Sequence, residues 1–329
     1  MVTEINGKPG GTVGKADKVD RLAELSARHD SDAEGGSLLR EAFGRLRRSP
    51  MAITGAAIIG TFVIVALLAP FVVPYDPAAQ LWGREVQPNH NVFVGPRAEN
   101  WFGLDHLGRD QFSRMLVGAQ NSLLVGVIAT LLGFSAGALL GGLAGAAVGL
   151  GGAWGRRLDT VIMRFVDMML AIPSLLIAVS IAAILGPSLT TVMVAVGVAQ
   201  IPIFARLLRG SMLAQSHADY VLAATALGVR RRRIVLGHVL PNSLGPVIVQ
   251  ATLTLATAII EAAALSYLGF GNPDPATPDW GAMLADAQRF LVGAPSLAVY
   301  PAVAIIITAL GFTLLGEAMR ESLDPKLRK

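Results

Sequence analysis

Along this chain apolar residues gather into long uncharged blocks separated by short polar or basic stretches. Residues 51–73 run for 23 positions without a charge, enough helix at 1.5 Å per residue to cross a hydrocarbon core of roughly 30 Å. Further blocks lie at about 117–150, 160–185, 189–208, 243–268 and 297–315. The pattern predicts an all-α, polytopic membrane helix bundle of six spans. Two sharp breaks punctuate it: a Gly-rich basic turn with Arg156 and Arg157, and Gly186-Pro187, which separates spans three and four without any charge. The second block is crowded with Gly and Ala, which allows close backbone approach and places that helix inside the bundle.

Composition supports the pattern: 53% of residues are hydrophobic and 15% charged, with a mean hydropathy of +0.56, too little polar surface for a soluble globule of 329 residues. Cysteine is absent, so thiol nucleophiles, thiolate metal sites and disulfides are excluded. Residues 1–38 are polar and glycine-dotted and are expected to form a disordered cytosolic tail; residues 39–329 form the membrane domain. No cleavable signal peptide is visible, since the first apolar run starts near Met51.

The net charge of +4 acquires meaning only when the basic residues are located. Nine lie before position 51, three at 151–164, six at 206–233 and four in the C-terminal tail, so 22 of 27 fall on alternate loops. Arg84, Arg97, Arg109, Arg114 and Arg289 lie on the others. That bias orients both termini to the cytosol and reads as topogenic, not as a nucleic-acid surface.

The insertion between spans four and five begins at Asp219, whose charge suits a helix N-terminus, and reaches Gly228, which suits its end. A short helix on the membrane face is expected, with Tyr220, Ala223, Ala224 and Leu227 on one side, offering small residues to a groove on a partner. The run Arg230 to Arg233 follows, with two open readings: pairing with acidic partner residues, or contact with anionic headgroups. His238 is a candidate pH-responsive or structural group.

This insertion resembles the coupling loop of ABC-importer permeases: an Ala-Ala pair at 223–224, Gly228, a basic and apolar stretch, then Leu240-Pro241. Leu222 stands where that family places a glutamate, so a salt bridge from that position is not expected. The segment Trp101-Phe102-Gly103-Leu104-Asp105-His106-Leu107-Gly108-Arg109-Asp110, with Ser113-Arg114, resembles the phrase before span two in dipeptide, oligopeptide and nickel importer permeases. Residues 261–271, then Pro278-Asp279-Trp280-Gly281, resemble the end of span five in the second, C-type, permease of that family, and Leu323-Asp324-Pro325 matches its usual ending.

The resemblance implies a multi-pass subunit of the bacterial cytoplasmic membrane that moves peptides or similar small solutes. Its implied partners are a second homologous permease, two cytosolic ATPase subunits or one fused ATPase, and an extracytoplasmic substrate-binding protein. Asp219, Tyr220, Ala223, Ala224, Leu227, Gly228, Arg230 and Arg231 would couple to the ATPase. The chain carries no G-x-x-x-x-G-K-[ST] loop, so it is expected to bind no cofactor, with ATP and Mg held by the partner subunits.

Other residues keep two readings. Trp101, Asp105, His106 and Arg109 could dock a binding protein, or the aromatics could merely anchor the loop at the interface; a metal site at His106 with Asp105 and Asp110 lacks further ligands. Glu261, an intramembrane acid, could attract a solute's ammonium or pin the end of span five by a hydrogen bond. Asp167 is expected to pair with Arg164 or a neighbour. The competing function is an ion-coupled secondary carrier, for which paired intramembrane charges and internal repeats are expected.

Overall fold

The computed structural model describes residues 44–88 and 92–323; the expected tail at 1–38 and the Asp324-Pro325 ending lie outside them. From Leu46 the described chain forms one compact unit. In order, the unit contains α1 (Pro50–Val72), α2 (Gln111–Leu150), α3 (Gly152–Leu170), α4 (Ser174–Leu185), α5 (Leu189–Gln215), α6 (Asp219–Ala226), α7 (Arg231–Phe270), α8 (Trp280–Ala287) and α9 (Ser296–Leu323). Five of these are long and apolar enough to cross a membrane, and α3 with α4 can supply a sixth crossing as a broken span.

Helix starts follow their caps. Ser49 accepts from the Ala52 amide at 3.4 Å with Pro50 at the first position, Asp110 accepts from Ser113 at 2.7 Å, and Ser188 accepts from Thr191 at 3.0 Å. Spans drawn from hydropathy alone prove too short: α2 starts six residues before the predicted 117, α5 runs to Gln215 and α9 to Leu323. Backbone hydrogen bonding continues beyond the depth of lipid, where polar side chains are tolerated. α7 covers 40 residues from within the arginine run, with π turns at Val235–Val239 and Ser266–Phe270, the second kinked where Gly269 adopts φ +92°.

The third predicted span, a single helix over 160–185, requires correction. The chain bends by 91° between α3 and α4, because Pro173 cannot donate an amide to a continuing helix. The pair still makes one traverse. Gly149, at the end of α2, packs on Val235 at the start of α7, whereas the Ser188 amide, just past α4, donates to the Phe270 carbonyl at 3.3 Å at the other end of α7. The same reasoning places the 101–114 loop and α8 together at one end of the bundle, tied by Asp286, and α6 at the opposite end.

The most extensive packing joins α2 to α5. Gly133, Gly137, Gly141 and Gly145 recur every fourth residue on α2 and lie against Gln200, Phe204, Ala205 and Met212. A β-carbon at Gly141 would sit 2.2 Å from the Ala205 carbonyl oxygen, so the backbones touch there. Gly55 of α1 and Gly311 of α9 make a similar close approach. In lipid, where burying apolar surface gains little, such backbone proximity is what holds helices together.

Gly141→Ala is therefore expected to destabilise the detergent-solubilised protein by about 1–3 kcal/mol through overpacking. Gly142→Ala, whose added carbon would meet only Leu208 and Leu240 side chains at 3.6 and 3.8 Å, should be neutral. Equal melting temperatures for the two variants would refute the seam.

Candidate functional site

At one end of the bundle, α6 is an eight-residue helix with none of its residues buried. Gly228 ends it at φ +75°: its amide bonds to the Thr225 carbonyl and that of Val229 to the Ala224 carbonyl, each at 3.0 Å. That pair of bonds is a Schellman cap, which needs a left-handed residue, and glycine adopts it without a steric penalty. Tyr220 donates its hydroxyl to Gln215 at 3.0 Å, and Val221, Ala224 and Val229 pack on a core of Phe204, Leu208, Met212 and Ile234.

The face expected to be offered outward is thus split. Tyr220 and Ala224 lean on the protein, while Asp219, Ala223 and Leu227 are exposed together with Leu222 and Ala226. Leu222 is 64% and Leu227 83% exposed, so the outward surface is apolar where a glutamate was absent from the sequence.

The four arginines also divide. Arg231 sends its guanidinium to the Gly151 turn, at the negative C-terminal end of α2. Arg230, Arg232 and Arg233, with Leu227, Gly228 and Leu236, line an open groove of about 820 Å³ beside α6. His238 is exposed within the adjacent π turn.

At the opposite end, Asp105 and Arg109 are both 4% exposed. Arg109 Nε donates to Asp105 Oδ2 at 2.5 Å, Arg114 Nε lies 3.5 Å from the same oxygen, and both guanidinium groups reach Asp286 Oδ2 at 3.3 Å. Asp105 Oδ1 also accepts the Leu107 and Arg109 amides, each at 2.9 Å. Two cations and two anions balance in a cluster, buried except at Asp286, that ties the loop before α2 to α8. Asp110 belongs to a second set of bonds, accepting from Asn100 at 2.8 Å and from the Ser113 hydroxyl at 2.7 Å. Trp280 is fully buried, its amide donating to Ser122 and its indole packed on Gly118.

Of the residues expected at a docking surface, Trp101 is 65% exposed and packs at a tilt against Phe112. Asp105 and Arg109 instead face inward. His106 stacks on Phe290 at 5.1 Å, and burial holds its imidazole below the ordinary histidine range, opposed by the Asp105 charge. Nothing local marks Asp286, one acid in an acid-leaning loop, because its partners lie more than 170 residues away.

Within the bundle, Asp167 pairs with Arg206 of α5, not with Arg164 on its own helix. Asp159, unnoticed in the sequence, receives a two-pronged contact from Arg209 at 2.5 and 2.7 Å. The two pairs clamp α3 across α5. Glu261 accepts a hydrogen bond from Ser174, the first residue of α4, at 2.6 Å.

The described residues thus form a multi-pass membrane helix bundle that presents a capped, exposed helix between two of its spans. The family described as "Binding-protein-dependent transport system inner membrane component" matches residues 137–329, and the N-terminal TM domain of oligopeptide transport permease C matches residues 37–91. The chain is 42% identical over 289 residues to the dipeptide transport system permease protein DppC of Alkalihalophilus pseudofirmus, covering 88% of this chain and 90% of that one. It is also 42% identical over 288 residues to the glutathione transport system permease protein GsiD of Escherichia coli O6:K15:H31, with the same coverage. In fold it matches a chain of the MetNI methionine ABC transporter with a TM-score of 0.51 at 19% identity, covering 64% of this chain and 96% of that chain. The chain belongs to the ABC-importer permease family of binding-protein-dependent inner membrane components, as a multi-pass transport subunit and not an enzyme. That membership displaces the ion-coupled carrier reading.

Two outcomes follow for the buried cluster. Asp105→Asn should cost about 3–5 kcal/mol, because it leaves Arg109 and Arg114 short of an anion, whereas Asp286→Asn, with its side chain 44% exposed, should cost clearly less; equal melting temperatures would contradict the buried pairing. For His106 the folded state disfavours the proton, so its contribution is present above the unfolded value near 6.5 and is lost as pH falls below it. Melting temperature should thus drop more between pH 7.5 and 5, roughly the range in which histidines titrate, in wild type than in His106→Gln; parallel profiles would contradict this.

Proposed function

We infer that the chain works with a second homologous permease, two cytosolic ATPase subunits or one fused ATPase, and an extracytoplasmic binding protein, to carry peptides into the cell. The observation that supports the coupling role is the exposed α6, whose rigid cap and packing on α5 and α7 let a push at one end move both spans as a body. Asp219, Ala223, Leu227 and Gly228 meet the ATPase, Arg230 lines the groove beside them, and Tyr220, Ala224 and Arg231 hold the presenting segment in place. ATP and Mg belong to those partner subunits.

Both termini and α6 lie in the cytosol in this reading, which the lysine and arginine bias supports. The 101–114 loop and α8 then face outward as a stiff platform, with Trp101 at its surface and the Asp105–Arg109 pair beneath, ready to receive the binding protein. On α3, Trp154, Leu158, Val161, Phe165 and Met168 form an exposed apolar stripe, spaced alternately by four and three residues, that suits packing on the second permease. The peptide cargo rests on the names of the dipeptide and glutathione relatives.

Tagged subunit purified in mild detergent should bring down the second permease and the ATPases. Ala223→Arg should release the ATPases, lowering ATPase activity of the purified complex at least about tenfold, while the second permease stays bound. Undiminished ATPase recovery with that variant would overturn the assignment of α6.

A further inference from the structure

A break in helix inside hydrocarbon exposes backbone groups that lipid cannot satisfy, so it survives only where protein or water covers it. α4 has 12 residues, a rise of roughly 18 Å, so its start lies within a core of roughly 30 Å. Ala171, Ile172 and Pro173 at that break are all exposed. Lipid is the wrong solvent for this surface.

The adjoining face of α7 is polar in the same zone. Gln250, Thr254, Thr257 and Glu261 share one side at i, i+4, i+7 and i+11 spacing. Gln250 donates to the Thr254 hydroxyl at 3.3 Å, and Thr257, which is exposed, donates to the Thr254 carbonyl at 3.0 Å. Glu261 is nine residues before the end of α7, roughly 14 Å along the axis. Its Oε1 accepts from Ser174, while Oε2 is shielded from solvent and has no hydrogen-bond partner, and among the described residues Glu261 forms no ion pair with any Lys, Arg or His. One hydroxyl donor is a poor substitute for the hydration that an ionised carboxylate loses at this depth.

The geometry points to a cation site: the α4 break, Ser174, Thr257 and Glu261 border the hydrated solute path, and the Glu261 carboxylate, whose buried Oε2 has no partner among the described residues, receives the ammonium group of a passing amine-bearing solute once the path opens around it. This deepens the peptide reading and rests on it for the identity of the amine, since a peptide presents a free ammonium at one end. Ser174 holds Oε1 and so keeps the carboxylate beside the break. The site gives Glu261 a role in specificity, beyond tying α7 to α4.

The natural absence of cysteine makes the test direct. Thr257→Cys, one turn from Glu261, is introduced in the complete importer in nanodiscs, and this subunit's labelling rate is measured with a cationic and an anionic methanethiosulfonate. Labelling by both is expected, and Glu261→Gln should lower the cationic-to-anionic rate ratio about tenfold, while Ser174→Ala, which keeps the charge, should largely retain it. No labelling by either reagent, or a ratio unmoved by Glu261→Gln, would overturn the site. In parallel, uptake of L-alanyl-L-alanine into proteoliposomes should fall in Glu261→Gln; a wild-type importer that moves none of it while the ratio behaves as expected would refute the peptide cargo and leave the cation site standing.

Discussion

Close backbone contact between α2 and α5 is the constraint on which the rest of this molecule depends. Between two helices in lipid there is almost no hydrophobic force, so association rests on van der Waals contact and polar ties. Glycines at every fourth position from Gly133 to Gly145 remove the side chains that would hold the two apart. Once α5 lies in that groove, Arg206 and Arg209 point at α3 and clamp it through Asp167 and Asp159. α6, which continues from α5, is thereby presented at a fixed place.

The two ends of the bundle are built on opposite physical terms. At the platform end, two arginines and two aspartates join segments far apart in sequence, and Trp280 fills the seam between α8 and α2. Removing one member leaves a buried charge unpaired, so the cluster resists deformation. At the α6 end no residue of α6 itself is buried, and three of the four arginines line an open groove. α2 and α7, each of 40 residues and roughly 60 Å, run from one region to the other, so a displacement at α6 has stiff elements to travel along.

The start of α7 is legible only in part from its residues. Arg230 to Arg233 read as one basic run, yet Arg231 lies against the Gly151 turn at the end of α2 while its neighbours line a groove. Helical geometry spreads adjacent residues by 100° each, so a run of like residues cannot share one role. The same rule divides the α6 residues, where Tyr220 and Ala224 turn to the core and Leu222 and Leu227 turn away. Conversely, the resemblance pointed to Trp101–Arg114 as a unit, and the packing shows why such a phrase holds together: its charged members neutralise one another beneath the surface.

What the sequence by itself determined were the properties set locally: the number and rough limits of the spans, from uncharged runs matched to bilayer thickness; the ends of α6, from Asp219 and Gly228; and the family, from short phrases of fixed spacing. What only the tertiary structure decided were the properties set by partners distant in the chain: the Asp286 contacts, the Asp167–Arg206 and Asp159–Arg209 clamps, and the meeting of Glu261 with Ser174 at the bend. The 91° turn between α3 and α4 belongs with these. Hydropathy measures what a helix will dissolve in and is indifferent to its direction, whereas the path of the chain through the bilayer is fixed by which neighbours it packs against.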